Sequence, residues 1–166
     1  LKLKGIKLNI SKWQRPPQNS SPWESKAAGL YMICTLSKHQ AEKEGYTDSL
    51  MLDHGGNIAE ATSANIFFKD ENDELHTPIP DSFLDGITRK TVIELARSKN
   101  IKLHERKISP TELSNFKGCF ITGTAAEITP VGSILDNNFE VCDLIKGLSE
   151  NYQKLVKGEA GGNLMY

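Results

Sequence analysis

Two periodicities alternate along this chain, and that alternation is its strongest constraint on fold. Runs of period two suit strands, and longer runs of period 3.6 suit helices. Residues 48–53 and 58–61 flank His54-Gly55-Gly56-Asn57, a turn that tolerates positive φ, so a hairpin is predicted. Residues 65–69 and 74–77 pair back across the charged turn Asp70-Glu71-Asn72-Asp73. A first strand is expected around Leu3, Ile6, Leu8 and Ile10, followed by a Pro-, Ser- and Asn-rich loop that carries Trp13 and Arg15. Further strands are expected at 101–106, 118–122 and 127–134. Helices are predicted from Trp23 or Ser25 to Glu44 (Leu30, Ile33, Leu36 and Ala41 inward), over 86–99 (Val92, Ile93 and Ala96 inward) and over 141–156 (Leu144, Ile145, Leu148, Tyr152 and Leu155 on one side). Ser109 and Glu112 form a capping box for a short helix up to Phe116. Hairpins combined with helices imply a mixed sheet in an α/β or α+β domain.

At 166 residues the chain fits one domain with room for a core, and no linker or repeat divides it. A net charge of −1 supplies no basic field, which argues against nucleic acid or an anionic membrane as the main partner. Cys34, Cys119 and Cys142 are odd in number and far apart, which suits a reducing cytoplasm better than a disulfide framework. The four histidines fall into no metal-binding spacing, so no metal is expected. The chain opens at Leu1 within a strand-like pattern, and a partial chain is expected.

The candidate chemistry centres on Ser25-Lys26-Ala27-Ala28-Gly29. A lysine among small residues at the expected start of a helix is placed where an ammonium is disfavoured and a reactive amine is possible. A solvated surface charge is the plain alternative. In Leu84-Asp85-Gly86-Ile87-Thr88-Arg89 a glycine opens a helix and a hydroxyl follows, which together can hold an anion. Taken alone, Gly86 is better explained as a turn residue, and Arg89 as an exposed partner of Asp85. Thr122-Gly123-Thr124-Ala125 closes a buried strand in the same way, as an anion site or a tight corner. Glu60 precedes a run of small residues and is either a solvated charge or an anion held against a cationic nitrogen. Tyr31 is either a core aromatic or a hydroxyl donor. A lysine amine, a fixed carboxylate and two anion-holding turns jointly meet the needs of pyridoxal phosphate.

In order and spacing these segments resemble the class IV aminotransferases, the fold-type IV pyridoxal-phosphate enzymes, and within them the branched-chain amino-acid aminotransferases. The resemblance runs from Ile10 to about Ile134 and includes Ser11-Lys12-Trp13-Gln14-Arg15, Glu44-Gly45-Tyr46, Asn65 and Gly123-Thr124-Ala125-Ala126-Glu127-Ile128-Thr129-Pro130-Val131. It implies an α/β fold whose mixed sheet is partly closed into a barrel-like shape with surrounding helices, the larger C-terminal domain of that fold. By the resemblance Lys26 is the Schiff-base lysine and proton carrier, Glu60 pairs with the pyridine nitrogen, and Tyr31 bonds the phenolic oxygen. Leu84 would pack on the ring; Gly86, Ile87 and Thr88 would hold the phosphate with Gly123 and Thr124. Thr124 and Ala125 would line the substrate carboxylate.

The implied reaction moves the amine of leucine, isoleucine or valine to 2-oxoglutarate in a cytoplasmic homodimer or higher homo-oligomer. The family's N-terminal domain is expected to be missing here, which would leave these residues alone inactive. D-amino-acid aminotransferase and aminodeoxychorismate lyase share Lys26, Glu60 and the Gly86-Ile87-Thr88 turn, and stand as alternatives. A non-catalytic scaffold or binding module is the alternative from another class.

Overall fold

The computed structural model describes residues 4–159. Its nine strands are β1 (Ile6–Gln14), β2 (Asp48–Leu52), β3 (Ile58–Ala61), β4 (Asn65–Lys69), β5 (Leu75–Thr77), β6 (Leu103–Glu105), β7 (Gly118–Gly123), β8 (Glu127–Ile134) and β9 (Asn137–Asn138). They form one mixed sheet in the order β3-β2-β1-β8-β7-β4-β5-β6, with β9 paired to β8. The helices are α1 (Met32–Lys43), α2 (Ile87–Ser98) and α3 (Asp143–Val156). Both predicted hairpins form, β2 antiparallel to β3 and β4 antiparallel to β5, whereas β1 runs parallel to β2 and β8.

The sheet is curled. End strand β3 passes into β4 through a link so short that Ala61 N–H donates to Ala64 O at 2.8 Å, although β4 lies well along the strand order. That connection folds the path β3-β2-β1-β8-β7-β4 back on itself, the barrel-like closure expected above. Its interior is filled by Leu8, Leu50, Ile66, Phe68, Ile121 and Val131, all buried. A second core lies between the outer face of β4, β7 and β8 and helices α2 and α3, where Phe67 stacks on Phe120 with ring centroids 5.0 Å apart. Val92, Ile93 and Ala96 of α2 and Ile145, Leu148 and Tyr152 of α3 face this layer as their spacing required.

Four expectations need correction. The first helix does not begin at Trp23 or Ser25. Ser25 turns back on Pro22, its N–H and Oγ both donating to Pro22 O at 2.9 and 2.8 Å, and a 3-10 turn (Ala28–Tyr31) intervenes before α1. The buried face of α1 is Cys34, Ser37 and Ala41, with Leu36 turned outward. The reason is that α1 covers a polar part of the sheet: Ser11 and Ser37 share a hydroxyl hydrogen bond of 2.7 Å. β1 continues to Gln14, beyond the expected loop boundary, across a break in its register with β2. Arg89 is only 1% exposed; besides Asp85 at 2.8 Å it holds Glu105 at 2.7 Å and Pro78 O at 3.0 Å, tying α2 to the β5–β6 side. Leu3, also expected in the first strand, lies outside the described residues. The capping box of Ser109 and Glu112 is present and starts a 3-10 turn (Pro110–Asn115).

Phe67 is fully buried and stacked. Phe67→Ala should therefore cost about 3–5 kcal/mol of unfolding free energy, read from the shift of a urea transition.

Candidate active site

A cavity of about 540 Å³ opens where the end of β3, the 62–64 link, the end of β7, the start of α2 and the loop before α1 converge. Every residue assigned above to cofactor or substrate lines it. Lys26 and Tyr31 come from the loop side, and Glu60 from β3. Leu84, Gly86, Ile87 and Thr88 come from the entrance to α2, and Gly123, Thr124 and Ala125 from the β7–β8 turn. Residues far apart in sequence meet here because the curled sheet brings the ends of β3, β4 and β7 to one rim.

Lys26 is not on a helix; it precedes the 3-10 turn and is exposed at the cavity wall. The helix-start argument for its amine therefore does not apply, and its place on the wall is what recommends it. Tyr31 ends the 3-10 turn. Partial burial, and after it the carboxyl of Glu60, push its phenol above the ordinary range.

Glu60 is 7% exposed and sits opposite Met51 on β2. Burial pushes its carboxyl up to about 8, against the opposing pull of Arg15 and with a further push from Asp48. Arg15 lies just past β1, 3% exposed, with Nε 3.5 Å from Glu60 Oε1. Its guanidinium is fixed from other sides too, Nε donating to Ser82 O at 3.3 Å and Nη1 to Leu30 O and Cys34 Sγ, each at 3.1 Å. Arg15 lies in the expected loop, but its contact with Glu60 comes from the fold and not from local sequence. Its signal was its place in the Ser11-Lys12-Trp13-Gln14-Arg15 segment.

Asn65 is a second residue whose role sequence reasoning missed. Its Nδ2 donates to Leu84 O at 2.9 Å and to Glu60 Oε2 at 3.4 Å, while its Oδ1 accepts from Gly86 N–H at 3.2 Å. One amide thus ties the Glu60 carboxyl to the entrance of α2. A Cβ at Gly86 would lie 2.6 Å from Asn65 Oδ1, so the glycine permits this close approach. Gly86 is the N-cap of α2 and offers no side-chain cap, and no acidic residue occupies the first turn. The N–H groups there remain available to an anion. Thr88 Oγ1 stands 3.5 Å from the Tyr152 hydroxyl, which links α3 to this helix start. Thr122 also lines the cavity, and its Oγ1 is buried without a hydrogen-bond partner among the described residues.

These groups fit a flat ligand with a cationic ring nitrogen, a carbonyl and a phosphate. The buried carboxyl suits the nitrogen and the amine suits the carbonyl. The uncapped helix start suits the anion. Pyridoxal phosphate has those three features.

The model of the family described as amino-transferase class IV matches residues 2–134. A probable branched-chain-amino-acid aminotransferase of Rickettsia typhi is 40% identical over 158 residues, which span 93% of this chain and 54% of the relative. Among solved structures, the branched-chain aminotransferase of Thermoproteus uzoniensis with norvaline superposes with a TM-score of 0.92 at 33% identity, covering 97% of this chain and 54% of that one. The holo, PLP-form enzyme of Thermobaculum terrenum gives 0.89 at 31% identity, covering 94% and 52%. The chain spans about half the length of the curated relatives it matches. With its curled mixed sheet and the match over most of its length, the chain belongs to the class IV aminotransferases.

Proposed function

We propose that this chain is the cofactor-bearing domain of an aminotransferase that moves the amino group of leucine, isoleucine or valine to 2-oxoglutarate with pyridoxal phosphate. The observation that carries the reading is that one cavity joins an amine, a buried carboxyl and an uncapped helix start. The relatives' names supply the substrate class, and the whole protein's activity and partners rest on the same proposal. The cofactor, when bound, would supply an electron sink to the reacting α-carbon. Lys26 is the nucleophile that holds it and the base that moves the α-proton. Glu60, held by Arg15 and Asn65, keeps the ring nitrogen protonated. Tyr31 donates to the phenolic oxygen, and Leu84 packs on the ring. The N–H groups of Ile87 and Thr88, with the Thr88 and Thr124 hydroxyls and the Gly123 backbone, bind the phosphate. Thr124 and Ala125 face the substrate carboxylate.

We further place the complete protein in the cytoplasm as a homodimer or higher homo-oligomer, with the present residues as its larger domain. Among the described residues no helix is long and apolar enough to cross a membrane.

Two experiments test this reading. The complete protein incubated with pyridoxal phosphate should develop a visible absorption band and transaminate leucine. Lys26→Ala should lose both, and the 166 residues alone should show little or no turnover. Fast turnover of D-alanine, or pyruvate release from aminodeoxychorismate, would contradict the substrate assignment. The second concerns Asn65, whose amide holds both Glu60 and Gly86. Asn65→Ala should weaken cofactor binding about tenfold, equivalent to ~1.4 kcal/mol, in a fluorescence titration. Unchanged affinity would remove Asn65 from the account.

A further inference from the structure

Away from the cavity, strand pairing assembles a second cluster of chemically capable side chains. β5 and β6 run parallel with His76 directly opposite His104, so both imidazoles leave the sheet on one face. Their rings stack with centroids 4.8 Å apart and planes 20° from parallel. Glu74, two residues before His76, reaches the same face, and its Oε2 is 2.6 Å from His104 Nε2. Ligand atoms of Glu74, His76 and His104 all lie within 4.8 Å of one another. Glu74 and His104 are 30 positions apart, so spacing along the chain could not reveal the group, and the expectation of no metal rested on that spacing.

We propose that Glu74, His76 and His104 bind a zinc-class divalent cation across the β5–β6 edge. Two imidazoles and one carboxylate form a donor set suited to Zn²⁺ and its neighbours and poorly suited to Mg²⁺, with water completing a tetrahedron. An outer support is already in place. Asp70 Oδ2 lies 3.0 Å from His76 Nε2, and Arg106 Nε donates to His76 Nδ1 at 3.2 Å. Those two bonds fix the tautomer with the proton on Nε2 and the lone pair on Nδ1, the arrangement of a carboxylate-oriented metal ligand.

Binding requires the two rings to turn out of their stack so that their in-plane lone pairs converge, and the ion must displace Arg106 from that of His76. The guanidinium keeps its paired bonds to Glu112, at 2.7 and 3.2 Å. Lys102 occupies Glu74 Oε1 at 2.9 Å and leaves Oε2 for the ion, which replaces the hydrogen bond from His104 as that ring moves its proton to Nδ1. The carboxylates of Asp70, Glu74 and Glu112 outnumber the cations of Lys102 and Arg106, so a divalent ion enters a region of net negative charge. β6 ends the strand order with β5 as its neighbour, and the bound ion would clamp that outermost pair.

The test is calorimetric titration of the tag-free protein with ZnCl₂, with CoCl₂ as a spectroscopic probe and MgCl₂ as the hard-cation control. Expected are one equivalent of Zn²⁺, a visible Co²⁺ band typical of a tetrahedral site, and a thermal midpoint raised by Zn²⁺ and unmoved by Mg²⁺. His104→Ala and Glu74→Gln should each abolish the Co²⁺ band, and Asp70→Asn should weaken Zn²⁺ binding about 10–100-fold. Both ligand substitutions are at partly exposed positions, and far-ultraviolet circular dichroism checks that each variant is folded. Failure of the wild-type protein to bind Zn²⁺, or binding unchanged in either ligand variant, overturns the proposal.

Discussion

The contact between Arg15 and Glu60 is the constraint on which the candidate site depends. Both side chains are buried, at 3% and 7% exposure, and a buried carboxyl is tolerated only when it is paired or protonated. Arg15 supplies partial pairing at 3.5 Å, and Asp48 acts against it through space. The balance leaves the carboxyl at about 8, so in the ligand-free protein it holds its proton at neutral pH. A ring nitrogen placed beside it can take that proton and complete the charge balance. Under the proposed function, the unfavourable burial of Glu60 is what would favour a ligand with a basic ring nitrogen.

Arg15 can do this because it is itself held by two backbone carbonyls and a cysteine sulfur, Ser82 O, Leu30 O and Cys34 Sγ. Those contacts join the 82–86 approach to α2, the 3-10 turn and α1 around one guanidinium. Asn65 performs a similar service between Glu60, Leu84 and Gly86. The tight β3–β4 link sets the separation of Glu60 from Asn65, so the curl of the sheet and the geometry of the site share an origin.

The sequence was most legible where a local pattern decides structure. The two hairpins, the amphipathic faces of α2 and α3 and the Ser109–Glu112 capping box follow from short-range chemistry, and each is present. It was least legible where long-range partners decide. Leu36 faces outward and Ser37 inward because Ser11 across the sheet offers a hydroxyl, which the helix's own period cannot express. Arg89 is buried because Glu105 and the Pro78 carbonyl reach it from distant segments. Lys26, Glu60 and Thr88 were weak signals singly; their convergence on one cavity depends on strand order, which no local window contains. The pairing of His76 with His104 across β5 and β6 is another case of the same blindness.

The most direct test of the account is the titration of Glu60 itself, followed by carbon-13 NMR of its labelled carboxyl with Glu60→Gln to assign the resonance. The ligand-free protein should titrate near 8, and added pyridoxal phosphate should leave the group ionised at pH 7. A ligand-free midpoint near the ordinary 4.5, or a carboxyl still protonated at pH 7 with the cofactor bound, would contradict it.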